Sequence, residues 1–146
     1  MQKNEVYLDN SATTRPYPEV SSEMQRVMLE KYGNPSSLHR RGSEGERLLQ
    51  YSRQVLAEIL GVSDSEIIFT SGGTESNNMA ILGVARRYRK RGNHLITTAI
   101  EHSSVLEPFN LLEEEGFEVT YLIPDGKGVI SPEKVAEALT PRTTLV

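Results

Sequence analysis

The sequence predicts an α/β fold with a mostly parallel sheet and helices on both of its faces. From residue 67 onward, short apolar runs alternate with longer segments whose apolar residues recur at helical spacing. Glycine or proline turns separate these segments, so the order is strand, helix, strand, helix, strand, helix, strand. Strands that alternate with helices are expected to lie parallel and to be joined by right-handed crossovers.

The part of the chain before residue 67 is predicted to be mainly helical. A short strand at 6–8 and a polar loop at 9–14 come first. A first helix follows the loop, and its apolar spacing predicts a core-facing stripe made of Val20, Met24, Val27 and Met28. A second helix is expected at about 43–60, closed by Gly61.

The alternating part supplies the remaining elements. Its first helix is expected to follow the turn at Gly72 and Gly73, with apolar residues at helical spacing from Met79 and its end in a cluster of Arg and Lys. The other helices are expected at 105–112, with Ser103 or Ser104 as N-cap, and from Ser131 to about Leu139. Cations are favoured at the negative end of a helix, so the basic cluster does not imply a nucleic-acid partner. The strands are expected at 67–69, 95–99, 117–123 and 143–146.

The glycine turn after the strand at 67–69 is a candidate phosphate site. Gly72 and Gly73 interrupt the chain just before a helix, and Thr74 adds a hydroxyl donor. The start of a helix offers free backbone N–H groups and the positive end of the macrodipole, which together favour a phosphate. The turn matches neither the P-loop nor the dinucleotide fingerprint. A glycine turn that serves only the geometry of the chain remains the alternative.

Two histidines lie in predicted loops. His102 follows the carboxyl end of the strand at 95–99, where ligands bind in parallel sheets, so it is expected to share a crevice with the glycine turn. His39 lies in a loop rich in Gly, Asn, Pro and Ser and is interpreted as a solvated histidine rather than a ligand.

Composition excludes several classes of function. The chain has no cysteine, which rules out disulfides and thiolate metal sites, and its net charge of -4 gives no reason to expect nucleic acid or an anionic membrane as partner. Residues 1–5 lack the apolar core of a signal peptide, and no apolar run approaches the roughly 20 residues of a membrane span. We therefore expect a cytoplasmic protein.

Four motifs, in this order and spacing, form a specific set. The chain reads YLDNSATT at 7–14, YGNPSSLH at 32–39, FTSGGTESNN at 69–78 and EHSSVL at 101–106. Together they resemble the N-terminal part of cysteine desulfurases, which are fold-type I pyridoxal phosphate (PLP) enzymes of the class V aminotransferase group. The resemblance covers nearly the whole chain. It implies that 15–146 is the first part of the PLP-binding large domain, and that 1–14 belongs to a small domain of the complete protein.

The resemblance also implies roles for individual residues. Gly73 and Thr74 would hold the PLP phosphate, in agreement with the helix N-terminus, and His102 would stack on the pyridine ring and assist proton transfer. Asn10 and Ala12, in the loop at 9–14, would lie near the substrate end of the cofactor. No metal is implied.

For the complete protein, the resemblance implies conversion of L-cysteine to L-alanine with sulfur passed to an enzyme cysteine as a persulfide. This chemistry supplies iron–sulfur cluster assembly or other sulfur-transfer pathways, so a homodimer and sulfur-acceptor or scaffold proteins are the expected partners. The family's Schiff-base lysine, in a Ser-x-His-Lys context, its pyridine-nitrogen aspartate, its persulfide cysteine and its carboxylate-binding arginine all lie beyond residue 146. We therefore expect the 146-residue chain alone to be inactive.

Other readings of the sequence stay open. A selenocysteine lyase, or another class V aminotransferase-like PLP enzyme, would share these motifs. From a different class, the chain could be a phosphate-ligand-binding module or an assembly fragment without catalysis. A Ser-x-His-Lys motif downstream would decide between the enzyme and these modules.

Overall fold

The computed structural model describes residues 6–146; residues 1–5, where we expected no signal-peptide core, lie outside the described part. The chain divides after Ile68 into two compact units. The helices are α1 (Pro18–Glu30), α2 (Arg40–Leu60), α3 (Gly73–Tyr88), α4 (Ser103–Glu114) and α5 (Pro132–Ala138), and the strands are β1 (His94–Thr98), β2 (Glu118–Leu122) and β3 (Thr143–Leu145).

The first unit consists of α1, α2 and a 3-10 turn at Asp64–Glu66. The predicted end of α2 is confirmed, because Gly61 adopts a left-handed conformation with φ of 68°. The turn is tied to α2 by a hydrogen bond from Gln50 Nε2 to Asp64 Oδ2 of 2.8 Å. Arg53 Nε also donates to the carbonyl of Ile67 at 3.1 Å.

The predicted core-facing stripe on α1 is wrong within this unit. No residue of α1 is buried, and Met24 and Met28 are 58% and 64% exposed. Apolar spacing sets which side chains share a helix face, but burial needs an element to cover that face. Here α1 and α2 leave a groove of about 510 Å³ between them, lined by apolar side chains that include Met24, Val27, Met28, Leu48 and Leu49.

The second unit contains a parallel sheet with the order β2-β1-β3, so the predicted α/β class and strand direction are confirmed. The chain leaves β1 for β2 through α4 and then passes through α5 to β3 on the other side of β1. The strands β1, β2 and β3 begin and end close to their predicted positions. Among residues 6–146, no helix combines the length and apolar character needed to cross a membrane.

Two of the predicted strands do not form. Residues 6–8 and 67–69 belong to no strand among the described residues, and Leu8 and Ile68 are 88% and 64% exposed. A β-branched apolar run favours an extended chain, but a strand exists only where a neighbour accepts its hydrogen bonds. The division of the complete protein at residue 14 stays a prediction.

The core of the second unit lies between α3, α4 and the sheet. Leu95 and Ile96 of β1 are fully buried, as residues of a strand with neighbours on both edges should be. The helices α3 and α4 contact each other extensively. Gly116, with φ of 87°, turns the chain from α4 into β2. The buried cluster consists of Ala85, Leu95, Phe109, Leu112 and Phe117.

His94 joins the three strands through its side chain. The residue is 2% exposed at the start of β1. Its Nε2 lies 2.8 Å from Thr120 Oγ1 in β2, and its Nδ1 lies 2.7 Å from Thr143 Oγ1 in β3. Hydroxyl groups both donate and accept, so they satisfy both nitrogens of a neutral ring in either tautomer. The buried imidazole is therefore a polar bridge across the sheet.

We expect His94→Leu to lower the free energy of unfolding by about 1–3 kcal/mol, because the Thr120 hydroxyl loses its partner inside the protein, whereas the Thr143 hydroxyl keeps its bonds to Thr140. Urea unfolding midpoints measure the loss. The double variant with Thr120→Val should lose less free energy of unfolding than the sum of the single variants, because the hydroxyl left without a partner is no longer present. Thr98→Val serves as control, since this hydroxyl of β1 bonds only to Glu101 in an exposed turn. Equal losses for His94→Leu and the control would contradict the bridge.

Candidate functional site

The glycine turn ends where predicted, at the first residue of α3. Gly72 is the N-cap and provides no side chain to satisfy the first turn. The N–H of Ser76 donates to Gly72 O at 3.1 Å, so the amides of Gly73, Thr74 and Glu75 come before the first helical hydrogen bond. A Cβ built on Gly72 or Gly73 would meet nothing within 4 Å. The turn therefore presents amide donors to open space.

Side chains around the turn fix its shape. The Glu75 carboxylate folds back and accepts from the backbone N–H of Ser71 at 2.6 Å and from its hydroxyl at 2.8 Å. These bonds hold the pKa of the Glu75 carboxyl below its ordinary value, the backbone bond contributing most. On the other side, Thr70 Oγ1 and Ser76 Oγ lie 2.6 Å apart. The Glu75 charge is thus engaged with Ser71 in the turn that precedes the helix.

His102, and neither Ser103 nor Ser104, is the N-cap of α4, so the predicted cap is wrong by one or two residues. Its Nδ1 accepts a hydrogen bond from the backbone N–H of Ser104 at 3.0 Å. The ring nitrogen thus does what the oxygen of Ser or Asn does in a common cap. His39 caps α2 in the same way, by accepting from Gly42 N–H at 3.2 Å. Histidine is outside the usual set of capping residues, and the sequence interpretation therefore missed both caps.

A chain of hydrogen bonds links the two helix starts. Asn77 Nδ2 in α3 donates to Ser104 Oγ at 2.9 Å, and Ser104 Oγ lies 2.9 Å from His102 Nδ1. The Asn77 and Ser104 side chains are 27 positions apart in the sequence, and the sequence did not predict that they meet. The structure therefore brings the amino end of α3, which carries Gly73 and Thr74, together with His102 at the carboxyl end of β1.

This arrangement fits the phosphate of a cofactor such as PLP. The three first-turn amides can only donate, and the exposed Thr74 hydroxyl can donate as well. These donors match the acceptor oxygens of a phosphate. The positive end of the α3 dipole adds to their effect. A metal site is not indicated, since residues 6–146 contain no group of three or more His, Asp or Glu side chains placed to hold an ion.

Asn10 and Ala12 belong to the first unit and are exposed. They lie in a turn in which the N–H of Ala12 donates to Asp9 O at 3.1 Å, and Asn10 Nδ2 donates to Tyr7 O at 3.4 Å. The groove of the first unit contains neither residue, and their role at the substrate stays a prediction.

Comparisons with known proteins show what the chain as a whole is similar to. Residues 6–146 match the family model described as aminotransferase class-V. The chain is 48% identical over 144 residues to a cysteine desulfurase IscS of Dictyoglomus turgidum, covering 99% of this chain and 36% of that protein. It is also 45% identical over 141 residues to a cysteine desulfurase IscS of Methanosarcina thermophila, covering 97% and 35%. The chain thus spans about a third of the length of these relatives.

Solved structures show the same likeness. A NifS-like protein aligns with a TM-score of 0.85 at 42% identity, over 92% of this chain and 37% of that one. A structure described as SspA in complex with cysteine aligns with a TM-score of 0.82 at 39% identity, over 91% and 38%. With the family model matching all described residues, the chain belongs to the aminotransferase class-V family.

Proposed function

We propose that this chain forms the phosphate-holding part of a PLP-dependent cysteine desulfurase. The observation that carries the proposal is the hydrogen-bonded link that holds the open amino end of α3 beside His102, in a chain of the class V family. Relatives named as cysteine desulfurases, and a structural neighbour described in complex with cysteine, support L-cysteine as substrate. Bound PLP would supply the electron sink for bond cleavage at the substrate's α-carbon. Sulfur would leave on an enzyme cysteine as a persulfide, with L-alanine as the other product.

Gly73 and Thr74 hold the cofactor by its phosphate in this proposal. The amides at the start of α3 contribute fixed donors, and the Thr74 hydroxyl adds a bond that is charge-assisted because the phosphate is ionised. A preformed set of donors needs little reorganisation when the anion arrives. These residues therefore position the cofactor and take no part in the transfer of protons.

His102 is the proton-transfer residue in this proposal. An imidazole changes charge near neutral pH, so it can give and take protons under working conditions. The cap uses only Nδ1, and Nε2 is the nitrogen left for chemistry. The ring would also stack on the pyridine of the cofactor, as the family resemblance implies.

The remaining assignments rest on the resemblance alone and belong to the same proposal. Asn10 and Ala12 would contact the substrate, and the complete protein would act as a cytoplasmic homodimer. Its sulfur would pass to acceptor or scaffold proteins for iron–sulfur cluster assembly.

Thr74→Ala should weaken PLP binding about 10- to 150-fold, which corresponds to about 1.5–3 kcal/mol for one charge-assisted hydrogen bond. Turnover at saturating PLP should change much less, because the phosphate is remote from the reacting atoms. Equilibrium titration of the complete protein followed by cofactor absorbance gives the affinity. Thr74→Ser is the matched control, since it keeps the hydroxyl. Wild-type affinity in the alanine variant would mean that the phosphate is held elsewhere.

We expect the complete protein to convert L-cysteine to L-alanine with PLP, and His102→Asn to lower this turnover about 10²–10⁴-fold. Asparagine is a good N-cap, so the variant should keep its melting temperature while losing the ring. His39→Asn makes the same exchange at the cap of α2 and should keep turnover. Alanine formation, PLP content and melting temperature are measured on one sample. A wild-type protein without alanine formation would contradict the proposed function, and an active His102→Asn protein would remove His102 from catalysis.

Glu75→Gln should destabilise the turn before α3 at neutral pH. The folded-state pKa of Glu75 is lowered, so its contribution to stability is fully present above the unfolded value near 4.5 and is lost as pH falls through the lower folded value. The difference in melting temperature between wild type and variant should therefore be larger at pH 7 than at pH 3. Glu107→Gln removes an exposed carboxylate of α4 and serves as control. A difference that grows on acidification would show that the bonds to Ser71 are not the cause.

A further inference from the structure

Ser104 is a buried polar residue at the contact between α3 and α4. It is 8% exposed, and both of its polar groups are used: the backbone N–H lies 3.0 Å from His102 Nδ1, and Oγ lies 2.9 Å from the same nitrogen. Asn77 Nδ2 donates to this Oγ at 2.9 Å from the neighbouring helix. The second residue of α4 therefore contacts the His102 ring on one side and α3 on the other.

The donors in this series of hydrogen bonds determine which nitrogen of the His102 ring carries the proton. A backbone N–H can only donate, so Nδ1 of His102 must offer its lone pair to Ser104. A neutral imidazole with an unprotonated Nδ1 carries its proton on Nε2. The Ser104 hydroxyl can then donate to Nδ1 as well, which leaves its oxygen lone pairs to accept from the Asn77 amide. The three groups thus have mutually consistent donor and acceptor roles.

Asn77 also ties the ring to the phosphate end of α3. It follows Thr74 by three residues, so the two side chains are neighbours on the surface of the helix. Asn78 is different, since its Nδ2 donates to Thr74 O at 2.9 Å within the same helix. Of these adjacent asparagines, Asn77 is the one bonded to Ser104 of α4.

We propose that Asn77 and Ser104 are positioning residues that hold the His102 ring as the Nε2–H tautomer at a fixed place beside the amino end of α3. This inference rests on the proposed function for its catalytic meaning, namely that Nε2, rather than Nδ1, is the nitrogen that faces the reacting atoms. No bond to substrate or cofactor is assigned to either residue. Their effect reaches the reaction through His102.

Ring nitrogen NMR on histidine-labelled apo-protein tests the tautomer without any cofactor. The His102 signals are assigned by their loss in His102→Asn. Wild type should show an unprotonated Nδ1 and a protonated Nε2 in one species. Asn77→Ala should keep this tautomer, because the backbone N–H of Ser104 remains, but should shift the ring nitrogen signals, because the Ser104 hydroxyl is no longer held by α3. Asn77→Asp keeps the shape but replaces a donor with an acceptor, so it should draw the Ser104 hydroxyl away from the ring and change the spectrum further. Asn78→Ala is the matched control and should leave the ring signals unchanged.

The holoenzyme provides the second readout. Asn77→Ala should lower the kcat for L-cysteine about tenfold, less than the 10²–10⁴-fold cost of losing an acid–base group, with KM and PLP affinity near wild type. A wild-type ring protonated on Nδ1, or Asn77 variants with wild-type ring signals, would overturn the proposal. Shifted ring signals with wild-type kcat would overturn its catalytic part. If wild type forms no alanine, the proposed function fails while the apo-protein spectra still decide the positioning.

Discussion

The second unit depends on β1 having hydrogen-bonded neighbours on both edges. Only five residues long, this strand is buried over four of them, and its backbone pairs with β2 on one side and β3 on the other. The His94 side chain repeats that pairing through the threonines of both neighbours. Because β1 is fixed along its length, the chain that leaves its carboxyl end has a defined starting point. His102 and the start of α4 are placed by that constraint.

The fold was predictable where local pattern and tertiary neighbours agree. β1 is an apolar run that is also central in its sheet, and α5 begins with an N-cap and a proline that need no distant partner. The pattern fails at 67–69, which forms no strand among the described residues, and on α1, where no residue is buried. Periodicity reports how a segment would bury its side chains. It carries no information about which other segment provides the cover.

The candidate site was predictable in its residue types and only partly in its bonds. A glycine turn before a helix can be recognised from the sequence, because its recognition requires only the strand-like run, the turn residues and the helical spacing. The cap by His102 was missed because serine is the usual capping residue and two serines follow at once. The bond from Asn77 to Ser104 joins residues 27 positions apart, and no local rule connects them. It follows from the packing of α3 against α4, which is a property of the folded unit.

In the proposed function, one histidine is both helix cap and proton-transfer residue, because its ring has two nitrogens. A serine or aspartate cap would give α4 the same start but would leave no second titratable atom at the end of β1. With Nδ1 committed to the backbone of Ser104, rotation of the ring costs the cap, so the position of Nε2 is set by the stability of the helix itself. Asn77 then couples that position to the turn that carries Thr74. The bonds that begin α4 are therefore also the bonds that orient the ring toward its chemistry.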